Sequence, residues 1–173
     1  MRSYPRFIII HHTAYKDSPI LELNRFHSEK GWGQVIKAPA PLLKLYKAMG
    51  YPEVSDGIRI SVGYHYYIRE NGKMEKGRPD YMRGAHCPQM EMNRDSIGIA
   101  LAGNFDLSGN TPSEKQWISL AVLLRWLIKK FKIPKENILI HREVKGSQTV
   151  CPGKFFPTDR LRLILDIEHM FDL

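Results

Sequence analysis

Hydrophobic and polar positions in this chain follow two periods, and the short-period segments stand out first. Residues 7–10 read Phe-Ile-Ile-Ile, four apolar positions in a row with three of them β-branched, and they run directly into His11 and His12. An unbroken run of this length suits a central strand covered on both faces, and ligands and catalytic groups commonly gather just past the carboxyl end of such a strand. Residues 137–140 repeat the design, Asn-Ile-Leu-Ile leading into His141, and residues 96–103 form another buried run. Residues 62–69 alternate and are rich in β-formers, and Asn71-Gly72 then predicts a hairpin turn before residues 73–75. Alternation places Tyr64 and Tyr66 on one face of this hairpin and His65 and Tyr67 on the other.

The longer period marks the helices. Asp17-Ser18-Pro19 is a start signal, and Ile20, Leu23, Phe26 and His27 share a face up to about Lys30, where Gly31 ends the helix. The strongest helix opens at residue 111, with Thr111 expected as N-cap, Pro112 in the first position and Glu114 closing a capping box. Its stripe contains Trp117, Leu120, Leu124 and Leu127, and Pro134 closes it. A last helix is expected from residue 158 to about 170. Residues 33–61 read differently: Pro39, Pro41 and Pro52 punctuate them, and Leu42, Leu45, Tyr46 and Met49 outline a short amphipathic helix. They look like a self-contained excursion. Residues 78–94 read as loop, and 104–110 as turn. Strands alternating with helices, plus a hairpin, predict an α/β fold: a single domain over residues 1–173 with a central mixed β-sheet flanked by α-helices.

Composition narrows the class. At 173 residues, 43% hydrophobic and 25% charged, the chain suits one globular domain and excludes disorder as a description of the whole. Its longest apolar stretches are too short for a bilayer span, so no stable membrane insertion is expected. The amino terminus starts positive but has only four consecutive apolar residues before His11, less than a secretory signal needs, which predicts synthesis in the cytoplasm. The net charge of +8 predicts attraction to a polyanion without choosing among nucleic acid, anionic membrane and wall polymer.

The candidate chemistry lies at the strand ends. His11 and His141, with Cys151 in a Cys-Pro-Gly loop, are residue types zinc prefers, and three protein ligands leave a fourth position open. Their spacing alone leaves the reading open, since it matches neither a zinc finger nor His-Glu-x-x-His. Cys87 reads as a spare thiol. His12 should point to the sheet face opposite His11 and act structurally. His65 and His27 read as core groups, His169 as structural, and Glu143 as either a carboxylate that orients a metal ligand or a surface ion pair.

Taken together, Ile10-His11-His12-Thr13-Ala14, Gly63-Tyr64-His65-Tyr66, Asn71-Gly72, Gly77-Arg78, Gly84-Ala85-His86, Asn93 to Ile99, Gly103-Asn104-Phe105, His141-Arg142-Glu143-Val144 and Thr149-Val150-Cys151-Pro152-Gly153 resemble a family. In this order they are similar to the zinc-dependent N-acetylmuramoyl-L-alanine amidases, which include phage lysozyme-type amidases and the animal peptidoglycan-recognition proteins. The resemblance covers most of the chain. It implies hydrolysis of the amide between N-acetylmuramic acid and L-alanine in peptidoglycan, with one Zn2+ per chain held by His11, His141 and Cys151. It also implies Tyr64 as the active-site tyrosine and places Thr149 where some members carry lysine and others threonine, so a positive charge is absent there and a catalytic oxyanion role at Thr149 is weaker or shared. His86, Asn93 and Arg94 each have two readings, substrate contact in a muropeptide groove or a place in a loop or turn. The family passes in a few residues from a tryptophan such as Trp32 to the Gly-Tyr-His segment, so residues at about 33–61 read as an insertion, either a groove wall or a neutral elaboration.

The expectation is therefore a monomeric peptidoglycan amidase of the phage or prophage endolysin kind, reaching the wall after release. A non-catalytic peptidoglycan-binding recognition module and a cytoplasmic muropeptide-recycling amidase are the alternatives. No recognition element for nucleic acid stands out.

Overall fold

The computed structural model describes residues 5–170, the last turn by its backbone alone. His169, expected to be structural, therefore has a side chain outside the described residues, as do Met1 to Tyr4 at the other end. In chain order the elements are β1 (Phe7–His12), α1 (Ile20–Glu29), β2 (Gln34–Ile36), α2 (Ala40–Ala48), β3 (Glu53–Val54), β4 (Gly57–Ile60), β5 (Tyr66–Ile68), β6 (Met74–Lys76), α3 (Met92–Asp95), β7 (Ser96–Leu101), α4 (Glu114–Phe131), β8 (Ile138–Ile140) and α5 (Thr158–Met170). The main sheet has the order β6-β5-β7-β1-β8. Strands β5, β7, β1 and β8 are parallel and β6 is antiparallel, so the sheet is mixed with β1 and β7 at its centre.

The unbroken apolar runs exist because these strands have helices or loops on both faces. Ile8 and Ile10 of β1, Ile97, Ile99 and Leu101 of β7, and Tyr66 and Ile68 of β5 pack against Trp117, Leu120, Leu124 and Leu127 of α4 and Leu161 and Leu165 of α5. The other face carries Tyr67, Ala100 and Ala102 under Ile20 and Leu23 of α1 and the apolar residues of the 34–60 segment. That segment folds as a separate three-stranded sheet, β2-β4-β3, with α2 beside it. Two tyrosines fasten it to β6 and its exit: Tyr46 donates to Gly77 O at 2.8 Å and Tyr51 to Lys76 O at 2.9 Å.

Two local expectations change in the fold, and a third element starts where expected. The N-cap of α4 is Ser113, whose hydroxyl accepts from Gln116 N while the Gln116 amide accepts from Ser113 N. Thr111 and Glu114 are shifted out of those roles, and Glu114 pairs with Arg160 of α5 instead. The cap moves because Gln116 is buried and its side-chain nitrogen also reaches Ala102 O, which ties the box to β7. At α1 the helix starts at Ile20, directly after the Asp17-Ser18-Pro19 signal, while Asp17 itself chelates Arg69 at 2.6 and 2.8 Å and the Ile20 N–H donates to Glu75 from β6. Finally, residues 62–65 lie outside strand β5, so alternation does not extend to Tyr64. Tyr66 joins the core under α4, whereas Tyr64 packs on the opposite side.

Candidate metal centre

Parallel pairing brings the two strand-end histidines together. Ile10 of β1 sits opposite Ile140 of β8, so the residues that follow, His11 and His141, emerge side by side with rings 4.6 Å apart. His11 is the next odd position after Ile9 and therefore shares the sheet face opposite α4. His12 faces the other way, where its Nδ1 accepts from Phe105 N at 3.1 Å and its ring lies 5.9 Å from that of Phe105.

Cys151 arrives from a loop held by Arg142. The Arg142 N–H donates to Cys151 O, and its guanidinium donates to Val150 O and Gly153 O and to the hydroxyl of Thr158. Gly153 adopts a φ of +107°, and a Cβ there would lie 2.2 Å from the Phe105 backbone, so only glycine lets the loop come this close. The Thr149 hydroxyl accepts from Cys151 N at 3.1 Å. Arg142 carried no role in the sequence reading; its position beside His141 was its only signal.

The result is a compact donor set. One nitrogen each of His11 and His141 and the sulfur of Cys151 lie within 4.8 Å of one another. Nδ1 of His11 is 3.6 Å from Cys151 Sγ, close to the roughly 3.5 Å edge of a tetrahedron with zinc–sulfur and zinc–nitrogen bonds. Nε2 of His141 is buried with no hydrogen-bond partner. Burial holds both imidazoles below the ordinary histidine range, in the neutral form that ligates, and pushes the Cys151 thiol up to about 12. A buried thiolate needs a cation beside it, and a soft divalent cation supplies one while releasing the proton. The residues present fit zinc.

Tyr64 stands over this set, its ring 5.3 Å from that of His11, and burial and the nearby Cys151 keep its phenol protonated. His86 is buried against His11, with Nδ1 3.0 Å from His11 Nε2. Asn93 Oδ1 accepts from His86 N and Cys87 N. Arg94, half-exposed, pairs with Asp95 and Glu91. Glu143 accepts from Ile140 N and pairs with Arg162, so its contacts are with the strand end and α5 rather than with the His141 ring. His65 is a core group, its Nδ1 accepting from Gly98 N and its Nε2 bonded to Met82 O. Cys87 is a fully buried free thiol, held up at about 11 by burial.

The comparisons with known proteins decide the family. A family model described as N-acetylmuramoyl-L-alanine amidase matches residues 1–154. The chain belongs to this amidase family. Membership carries the reaction, hydrolysis of the amide between N-acetylmuramic acid and L-alanine in peptidoglycan. The amidase is 29% identical over 154 residues to the endolysin of Escherichia phage T7, covering 84% of this chain and 79% of that one. It is 35% identical over 94 residues to peptidoglycan-recognition protein SD of Drosophila simulans, 54% of this chain and 47% of the other. Among solved structures, N-acetylmuramoyl-L-alanine amidase LysC from Clostridium intestinale URNW superposes with a TM-score of 0.70 at 30% identity, covering 96% of this chain and 90% of that one.

Behind the amidase's centre, His27 of α1 lies between Trp32 and Tyr64, and its Nδ1 accepts from Gly63 N at 3.1 Å. It is only 5% exposed, and burial, with Arg78 and Lys30 adding to it, pushes it down to about 4. Because the unfolded chain binds a proton at His27 near pH 6.5 and the folded one only near 4, stability present above 6.5 is lost as pH falls through that window, by about 3 kcal/mol. Urea unfolding at pH 7 and pH 4 checks this: the wild type should lose that much more than His27→Gln, and parallel losses would refute it.

Proposed function

We propose that this chain is a zinc-dependent N-acetylmuramoyl-L-alanine amidase that acts as a phage-type endolysin. The observation that carries the metal reading is the convergence of His11, His141 and Cys151 within 4.8 Å at the carboxyl ends of β1 and β8. When bound, zinc supplies Lewis-acid chemistry, a lowered pKa for water and a polarised carbonyl, so that no strong protein base is required. The protein's own part is arrangement. His11 and His141 offer neutral imidazoles, and Cys151 offers a sulfur kept in place by Arg142 and Thr149. Tyr64, protonated and beside His11, donates its hydroxyl to the oxygen of the scissile carbonyl as negative charge grows there. Thr149 stands without a charge where some family members carry lysine and others threonine, and its hydroxyl hydrogen remains available for the same oxygen while the oxygen atom serves Cys151 N. Arg94, with about half of its side chain exposed, is the substrate-facing candidate among the three residues expected in a groove. Residues 33–61 are read as an insertion that walls the groove, supported by their separate sheet and by their packing on the sheet face that carries His11.

Incubation with purified peptidoglycan tests the reading. New L-alanine amino termini without new reducing sugars, abolished by a chelator and restored by zinc, are expected. Release that survives complete removal of metal would overturn it. Tyr64→Phe should lower kcat about 100-fold, the size expected for one lost oxyanion donor, with zinc content unchanged. Full activity in that variant would remove Tyr64 from the mechanism.

A further inference from the structure

The Gly84-Ala85-His86 stretch is a family-like motif that the proposed reaction leaves without work. His86 is 8% exposed, and its Nδ1 lies 3.0 Å from Nε2 of His11. The other nitrogen of His11, Nδ1, faces Cys151 Sγ at 3.6 Å. The two nitrogens of His11 are thus divided between the cysteine and His86. Imidazole chemistry then assigns the protons: a nitrogen that serves as a ligand must be bare, so the proton of neutral His11 sits on Nε2, and Nδ1 of His86 accepts it.

The surroundings of His86 are built to hold its ring in one place. A Cβ on Gly98 of β7 would lie 2.5 Å from its Cδ2, and one on Gly84 would lie 2.4 Å away, so two glycines form a slot that no larger residue leaves open. The backbone on either side of the ring is clipped by one residue. Asn93 Oδ1 accepts from His86 N at 2.7 Å and Cys87 N at 2.9 Å, while Asn93 O accepts from Gly84 N at 2.7 Å.

We infer that His86 is a positioning residue for the metal centre: by accepting the Nε2–H of His11 it holds that ligand in the tautomer and ring orientation that face His141 and Cys151. The inference rests on the zinc reading given above. Ligating histidines commonly give their second N–H to a carboxylate, a carbonyl or water. A neutral imidazole in that place adds no charge to a donor set that already contains a thiolate, which preserves Lewis acidity at a divalent cation.

The test is zinc affinity, measured by competition with a chromophoric chelator, together with the absorption bands of the cobalt(II)-loaded protein. His86→Ala should bind zinc about 10- to 100-fold more weakly than wild type and show altered cobalt bands, with its circular dichroism unchanged. His86→Gln, whose amide oxygen accepts a hydrogen bond, should recover most of the affinity. Wild-type affinity and bands in His86→Ala would overturn this inference alone, whereas a wild-type chain that takes up no zinc would overturn the metal reading with it. An independent measurement on the unaltered, zinc-loaded protein covers the case in which His86→Ala does not fold. Long-range proton–nitrogen correlations should show His11 protonated at Nε2 and His86 bare at Nδ1, and a His86 protonated at Nδ1 would overturn the assignment.

Discussion

Cys151→Ser should leave a folded protein that neither holds zinc nor releases stem peptides. The serine oxygen is a poor match for a site whose other two donors are imidazoles, and its hydroxyl does not ionise where even the more acidic thiol is pushed up to about 12. Activity should fall by more than the roughly 100-fold that removal of an outer partner of a metal ligand typically causes. The fold should survive, because the loop that carries Cys151 is held by backbone and Arg142 contacts that do not use the sulfur. Thermal unfolding with and without added zinc separates the two effects: the wild type should gain stability from zinc by mass action and the variant should not. An active variant containing one zinc per chain would refute the ligand set.

The second large effect concerns stability. Arg78→Met should cost about 3 kcal/mol, since it removes three hydrogen bonds from a charged donor to backbone carbonyls, one buried and two part-buried, at about 1 kcal/mol each. Arg78 is fully buried and donates to Trp32 O at 2.8 Å, Val62 O at 2.8 Å and Arg83 O at 2.6 Å. Those carbonyls belong to the turn after α1, the segment leading to Tyr64 and the segment leading to His86, so a single guanidinium ties together three pieces of the site's frame. Arg78→Lys should recover only part of the loss, because a compact ammonium on a flexible stem does not span three acceptors. Urea unfolding of both variants provides the measurement. A loss under 1 kcal/mol in Arg78→Met would show that the carbonyls find other partners.

Much of the frame was legible in the residues because it obeys one period at a time. The Phe7 to His12 run, the Ile138 to Ile140 run and the α4 stripe from Trp117 to Leu127 state their own burial, and each appears as expected. Local start signals were less secure. Thr111 and Glu114 have the residue types and spacing of a capping box, but the box forms at Ser113 and Gln116, which follows from where Gln116 reaches in β7. Asp17 belongs to the start signal of α1, yet its carboxylate goes to Arg69, 52 residues away. Tyr64 was assigned a face by alternation, which fails because the strand begins only at Tyr66. The contacts of His86 and Asn93 lie beyond any local pattern for the same reason, since their partners come from the packing of separate loops.

By itself, then, the sequence determined which segments bury themselves, that two histidines end adjacent-looking strands, and which donors suit zinc, because hydrophobic period and ligand chemistry are properties of residues and their near neighbours. The tertiary structure decided which histidines meet. Parallel register sets His11 beside His141, loop closure brings in Cys151 from 140 residues away, and the slot between Gly84 and Gly98 places His86 behind His11. Such contacts depend on the pairing and stacking of distant segments, and no local pattern encodes a distance between them.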